Sequence, residues 1–108
     1  MAVGIPPNAM PWQYNNAASG ALTGETVLAA VLGKRVYVTH ILFNTVPGGT
    51  FALGGGGTMK FGTVTLGANG LLVVDRSANP LFMGQGKTTH FTTTGAGVAC
   101  IHLAGFTV

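Results

Sequence analysis

The closing stretch Val98–Val108, VACIHLAGFTV, decides how the rest of the chain reads. On an extended backbone Ala99, Ile101, Leu103 and Gly105 fall on one side, and Val98, Cys100, His102, Ala104 and Phe106 on the other. Strand side chains alternate between faces with a period of two, so this is a strand with one apolar and one mixed face. Lys87–Thr93 behaves alike: Thr88, His90 and Thr92 share one face, and Thr89, Phe91 and Thr93 the other. Val36–Phe43, VYVTHILF, carries apolar side chains on both faces. Such a strand is expected to be covered on both sides, at the centre of a sheet or at a contact between subunits.

Outward from these segments, Val, Ile, Thr, Phe and Tyr stay abundant and glycine-rich breaks recur at short intervals. The pattern predicts strands over Gln13–Ala18, Glu25–Leu32, Arg35–Asn44, Thr50–Leu53, Thr58–Leu66, Leu71–Asp75, Leu81–Met83, Lys87–Thr93 and Val98–Thr107. Glu25–Leu32 is the one helix candidate, but its β-branched start and short length favour a strand. Asn69-Gly70 is a strong signal for a two-residue hairpin, because both residues accept positive φ. Gly54–Gly57 reads as a flexible hairpin tip. Strands at regular spacing without a βαβ rhythm predict an all-β fold, an antiparallel β-sandwich like a jelly roll with eight strands in two sheets. The first eleven residues, MAVGIPPNAMP, hold three prolines, which fix φ and remove backbone donors. They are expected to form an extended N-terminal arm over 1–11, ahead of a sandwich domain over 12–108. Ile5, Met10, Trp12 and Tyr14 would be its apolar anchors.

The chain has 108 residues, enough for one domain. Hydrophobic residues make up 47%, yet charged residues only 6%, against about a quarter in ordinary soluble proteins. Disordered chains are apolar-poor and charge-rich, and the 18 glycines follow no three-residue period, so disorder and a collagen-like fold are excluded. A monomer of this mass exposes about 5,600 Å² of surface, roughly 800 Å² for each of seven charged side chains. Free monomers keep soluble with many more charges, so an oligomer or a component of a larger assembly is expected. The net charge of +3 rests on five cations without a basic run or aromatic interleaving. That argues against nucleic-acid binding and suits an acidic protein partner. The single cysteine, Cys100, supports no disulfide framework. The longest apolar run, Thr26–Gly33, falls far short of the ~20 residues that span a bilayer, and Met1–Pro11 lacks the features of a secretory signal. Synthesis and folding in a cytoplasm, with no membrane association, are expected.

The residues offer little for catalysis. Glu25 and Asp75 are the only carboxylates, and nothing in their context pairs them for acid–base work. His40, His90 and His102 lie on three predicted strands without the HxH or HxxxH spacing of metal sites. Cys100 and His102 share a strand face and could hold zinc or activate a thiolate. The simpler reading makes Cys100 a small buried hydrophobe and the histidines ordinary strand residues. Ser19 and Ser77 lack a nucleophile elbow, and Gly84–Thr88 lacks the spacing of a phosphate loop. No enzyme activity, cofactor or metal is therefore expected. Trp12 and Tyr14, beside Gln13, Asn15 and Asn16, could stack on a sugar, but read first as packing anchors of the opening strand.

The arm leading into Trp12-Gln13-Tyr14, the Lys34–Thr39 opening of a central strand, a glycine-rich hairpin, Asn79-Pro80-Leu81-Phe82 and the closing Thr94–Ala99 stretch are similar in style and order to a known group. Over nearly the whole chain they resemble the small β-sandwich decoration, or cement, proteins of tailed bacteriophage capsids. The resemblance implies a structural virion protein, made in the host cytoplasm, that binds the outer capsid surface as a homotrimer and stabilises the head. Its partner would be the major capsid protein. The implied capsid-contact arm would use Ile5, Pro6, Pro7, Met10 and Pro11, with Trp12 and Tyr14. The alternative is a phage tail or fibre module that binds a host receptor or glycan.

Overall fold

The computed structural model describes residues 8–19, 22–94 and 98–108. They form nine strands and, among the described residues, no helix: β1 (Met10–Ser19), β2 (Leu22–Leu28), β3 (Arg35–Thr45), β4 (Gly49–Gly55), β5 (Thr58–Leu66), β6 (Gly70–Asp75), β7 (Leu81–Gln85), β8 (Thr89–Thr94) and β9 (Val98–Thr107). Two antiparallel sheets pack against each other. The first runs β1-β9-β3-β6 with β7 also on β3, and the second runs β2-β8-β4-β5. The pairing is nested: β4 with β5, β3 with β6, β2 with β8 and β1 with β9, as if one long hairpin had been rolled up. β7 is surplus to that scheme. It lies end to end with β6 along one side of β3, taking Arg35–Val38 while β6 takes His40–Thr45.

Burial between the sheets follows the alternation. Val36, Val38, Ile41, Phe43, Met83, Ile101 and Leu103 point inward from the first sheet, and Phe51, Leu53 and Phe91 from the second. Phe51 stacks on Phe43 across the interior at 5.2 Å between ring centroids, and on its neighbour Phe91 at 6.2 Å. These offset rings add to the gain from apolar area alone. β3 breaks strict alternation. Thr39 is an extra residue between Val38 and His40 in the pairing with β9, a bulge that sends Val36, Val38, Ile41, Phe43 and Thr45 all inward. The double apolar face of Val36–Phe43 is thus partly this bulge: Val38 and Ile41 differ in parity yet share a face.

Two turn expectations are corrected. Asn69 does adopt φ +57°, but β5 and β6 pair in different sheets, so Asn69-Gly70 sits in a crossover and not in a hairpin. The true two-residue hairpin is Gly56-Gly57, with φ of +57° and +86°, between β4 and β5. Gly54 and Gly55, read as part of a flexible tip, are instead buried residues of β4. A Cβ on Gly55 would stand 1.7 Å from the Met83 carbonyl oxygen, so only glycine lets β7 approach there.

The N-terminal boundary also moves. Met10 and Pro11, placed by sequence in the arm, open β1 opposite Thr107 and Phe106. β1 is an edge strand, where the missing proline donor is tolerated. Ile5, Pro6 and Pro7 lie outside the described residues. β2 ends at Leu28, four residues before the expected limit, and Ala29–Gly33 form an exposed loop.

Candidate functional site

Register across the first sheet arranges its outward side chains in rows. One row runs Gln13, Ala104, His40, Asp75; the next Asn15, His102, Leu42, Val73; the third passes through Cys100, Asn44 and Leu71. At the sheet's end Phe106, Tyr37 and Phe82 continue the face, with Tyr37 stacked 5.0 Å from Phe106 and 5.3 Å from Phe82. Leu71 and Val73 are 58% and 63% exposed, and Leu42 and Phe82 are exposed as well. Apolar side chains exposed on one sheet face in this number are suited to contact with another surface.

Gln13, Asn15, Asn44 and His102 interrupt these apolar side chains, as does a histidine–aspartate pair. His40 Nε2 lies 3.4 Å from Asp75 Oδ1, a salt bridge when the imidazole is protonated. The Thr39 hydroxyl donates to the Ala104 carbonyl at 3.3 Å and lies 2.9 Å from His40 Nδ1. Hydrogen bonds from Ser77, backbone and side chain, hold the Asp75 carboxyl below its ordinary value, with His40 adding a smaller lowering. His102 Nδ1 donates to Asn15 Oδ1 at the edge of a shallow hollow of about 330 Å³, lined by Asn15, Asn16, Leu42, Cys100, Ile101 and His102.

The outer face of the second sheet differs. Thr26, His90, Thr92, Thr94, Thr50 and Thr65 point outward, placed by the pairs Thr26–His90, Thr50–Thr94 and Thr50–Thr65. The Thr50 and Thr94 hydroxyls hydrogen-bond each other, and Thr92 accepts from the Gly24 amide at 3.0 Å. Threonine hydroxyls, the His90 imidazole and backbone supply most of its polarity, and Met59, opposite Gly54, and Lys60 are exposed on β5.

Cys100 and His102 share one face, as the alternation requires, but Cys100 is exposed and not the buried hydrophobe expected. Its parity matches His102 and opposes Ile101, so it turns away from the core. His90 stands on the other sheet from His40 and His102, and among the described residues no group of three or more His, Cys, Asp or Glu could hold a metal ion. Glu25, opposite Phe91 in the second sheet, and Asp75, opposite His40 in the first, are not brought together.

Among the expected contact residues, Trp12 and Tyr14 pack against the core. Tyr14 meets Phe91 edge-on at 5.6 Å, and Trp12 lies over Gly105, where a Cβ would stand 2.7 Å from its ring. The Trp12 Nε1 proton has no acceptor. Met10 and Pro11 are exposed on β1. Sequence reading passed over Leu71 and Val73, because an unbroken apolar run such as Leu71–Val74 fits a strand covered on both sides as well as one with an exposed apolar face. No protein-family model matches the chain, and no curated protein matches its sequence.

Proposed function

We propose that the chain is a structural virion protein, a decoration protein that binds the outer capsid surface as an oligomer of three copies and stabilises a phage head. The observation that carries this reading is the outer face of the first sheet. Leu42, Leu71, Val73 and Phe82 stand exposed among uncharged Gln13, Asn15 and Asn44, His102 and one histidine–aspartate pair, a mixture suited to burial against a neighbouring copy. The location on a head rests on the resemblance to cement proteins.

We read the two packed sheets as a jelly-roll sandwich. Support comes from the nested order β1-β9-β3-β6 over β2-β8-β4-β5, in which each outer strand pair encloses the next. Residues ahead of Met10, with Ile5, Pro6 and Pro7, serve in this proposal as the arm that reaches over a capsid subunit. Prolines restrict its free conformations and so reduce the cost of ordering it. A glycan-binding tail module draws no support from Trp12 and Tyr14, since both rings pack inward.

Light scattering during size-exclusion chromatography, followed by co-sedimentation with heads assembled without the protein, tests the proposal. A species near three times 10.9 kDa that binds heads saturably is the expected result. A chain that stays monomeric when concentrated, or that leaves the heads bare, overturns it.

A further inference from the structure

We infer that the end of the molecule where β1 begins is a docking surface for an acidic protein, with Leu32 as its apolar anchor. The inference rests on the decoration reading and specifies the chemistry that the capsid surface would need.

Several chain segments meet at this end. Met10 pairs with Thr107, which also pairs with Val36. Arg35 exchanges two backbone hydrogen bonds with Val108, at 2.8 and 3.0 Å. The Gly86 amide donates to the Lys34 carbonyl at 2.8 Å, and the Lys34 amide closes a turn on the Val31 carbonyl at 3.1 Å. That turn lifts Val31 and Leu32 clear of the body, and Leu32 is 98% exposed. Lys34 and Arg35 follow it in the chain, and a Cβ on Gly86 would stand 4.0 Å from the Leu32 backbone. Lys34, Arg35 and Lys87 are all exposed, with the Lys87 stem running beside Gly56 and Gly84. Met10 adds a further exposed apolar side chain.

Three of the chain's five Lys and Arg residues thus lie on the segments that meet at this end, which also carry the exposed Leu32. Neither carboxylate side chain reaches them. Glu25 stands opposite Phe91 and Asp75 opposite His40, within the body of the sheets, and the salt bridge seen among the described residues is His40–Asp75. The complementary surface is a shallow apolar depression with a rim of Asp or Glu, where unpaired cations steer the encounter and Leu32 supplies burial. A nucleic acid would gain little here, since three cations without a basic run neutralise few phosphates. A protein is favoured over a lipid surface because the anchor is narrow and Met10 leads directly into the segment proposed as the capsid arm.

The test compares the full chain with Leu32→Ser and with Lys34→Glu/Arg35→Glu for binding to heads assembled without the protein, at low and high salt. Vesicles of mixed phosphatidylcholine and phosphatidylserine form a parallel arm. Loss of one buried leucine should weaken head binding about tenfold or more. Charge reversal should weaken it by a similar factor at low salt and flatten the salt dependence. All these side chains are exposed, so light scattering should show the parent's assembly state in each variant. Variants that bind heads as the parent does would overturn the inference and leave the decoration reading standing. Vesicle binding that disappears with Leu32→Ser, while head binding persists, would overturn it in favour of lipid. A parent chain that leaves heads bare removes the decoration reading, and the inference with it.

Discussion

Leu71→Lys/Val73→Lys asks directly whether the outer face of the first sheet is covered by another copy. Both side chains are more than half exposed in the single chain, so their removal takes little from the subunit's own core. Full burial of a Leu or Val side chain is worth ~1.5–3 kcal/mol, which leaves each of these about 1–2 kcal/mol still to gain on association. Two such residues give about 2–4 kcal/mol per contact. Two ammonium groups in their place must also be desolvated or excluded, at a cost of several kcal/mol more. At 1.4 kcal/mol per tenfold, the dissociation constant should rise by at least about a thousandfold. Lysine serves better than aspartate here, because Asp75 lies two residues along the same face of β6 and would repel further carboxylates. The assay is a dilution series by light scattering, with circular dichroism and thermal melting as controls on folding. The parent should remain assembled at concentrations where the variant runs as a folded monomer. A variant that keeps the parent's mass across the series would show that this face is not the covered one.

Three further outcomes concern the subunit itself. Gly55→Ala sets a Cβ against the Met83 carbonyl oxygen, backbone against backbone, so either β4 or β7 must move. The expected cost is about 3 kcal/mol, seen as a fall in Tm of at least 10 °C, roughly, in differential scanning calorimetry. Thr89 buries a hydroxyl without a partner, so Thr89→Val, which keeps the shape and removes the polar atom, should raise stability by about 1 kcal/mol in urea unfolding. The Asp75 carboxyl is held below its ordinary 3.8 by Ser77. A depressed folded value contributes stability that is present above the ordinary value and lost as pH falls through the folded one. Acidification below about pH 4 should therefore cost the parent a small increment of stability that Asp75→Asn does not lose, as measured by urea midpoints at stepped pH.

Which features the residues disclosed, and which they hid, follows from the range of the interactions that set them. β5 and β9 begin and end where the alternation and flanking glycines place them, because period-two burial and turn chemistry act within a few residues. The inward set of β9 and the pairing of Cys100 with His102 follow from the same parity. The Thr39 bulge does not, since an extra residue exists only relative to the partner strand β9. Asn69 takes the left-handed conformation that its residue type favours, yet nothing local tells a hairpin from a crossover; that depends on which sheet receives β6. Met10 and Pro11 were misplaced for a related reason. Proline forbids a central strand but allows an edge, and edge status is a property of the whole sheet. The exposed site suffered most, because Leu71 and Val73 look like core residues until β6 is known to have a single covered face.

The shortage of charge finds a physical account in how the two outer faces differ. The chain exposes 5720 Å² with seven charged side chains, so other groups must keep most of that surface compatible with water or with a partner. On the second sheet threonine hydroxyls do so: they hydrogen-bond to each other and to backbone, and the β-branched side chain suits a strand at no electrostatic cost. The outer face of the first sheet relies instead on Gln13, Asn15, Asn44, His102 and the His40–Asp75 pair. There Leu42, Leu71, Val73 and Phe82 are exposed, and Arg35 stands at the end of the same face, two residues before Tyr37. Had solubility been the only requirement, threonine would have served on both sheets, since both are antiparallel and each has one face on the core. The proposed assembly would use this difference between the two faces, and it turns on Leu71 and Val73.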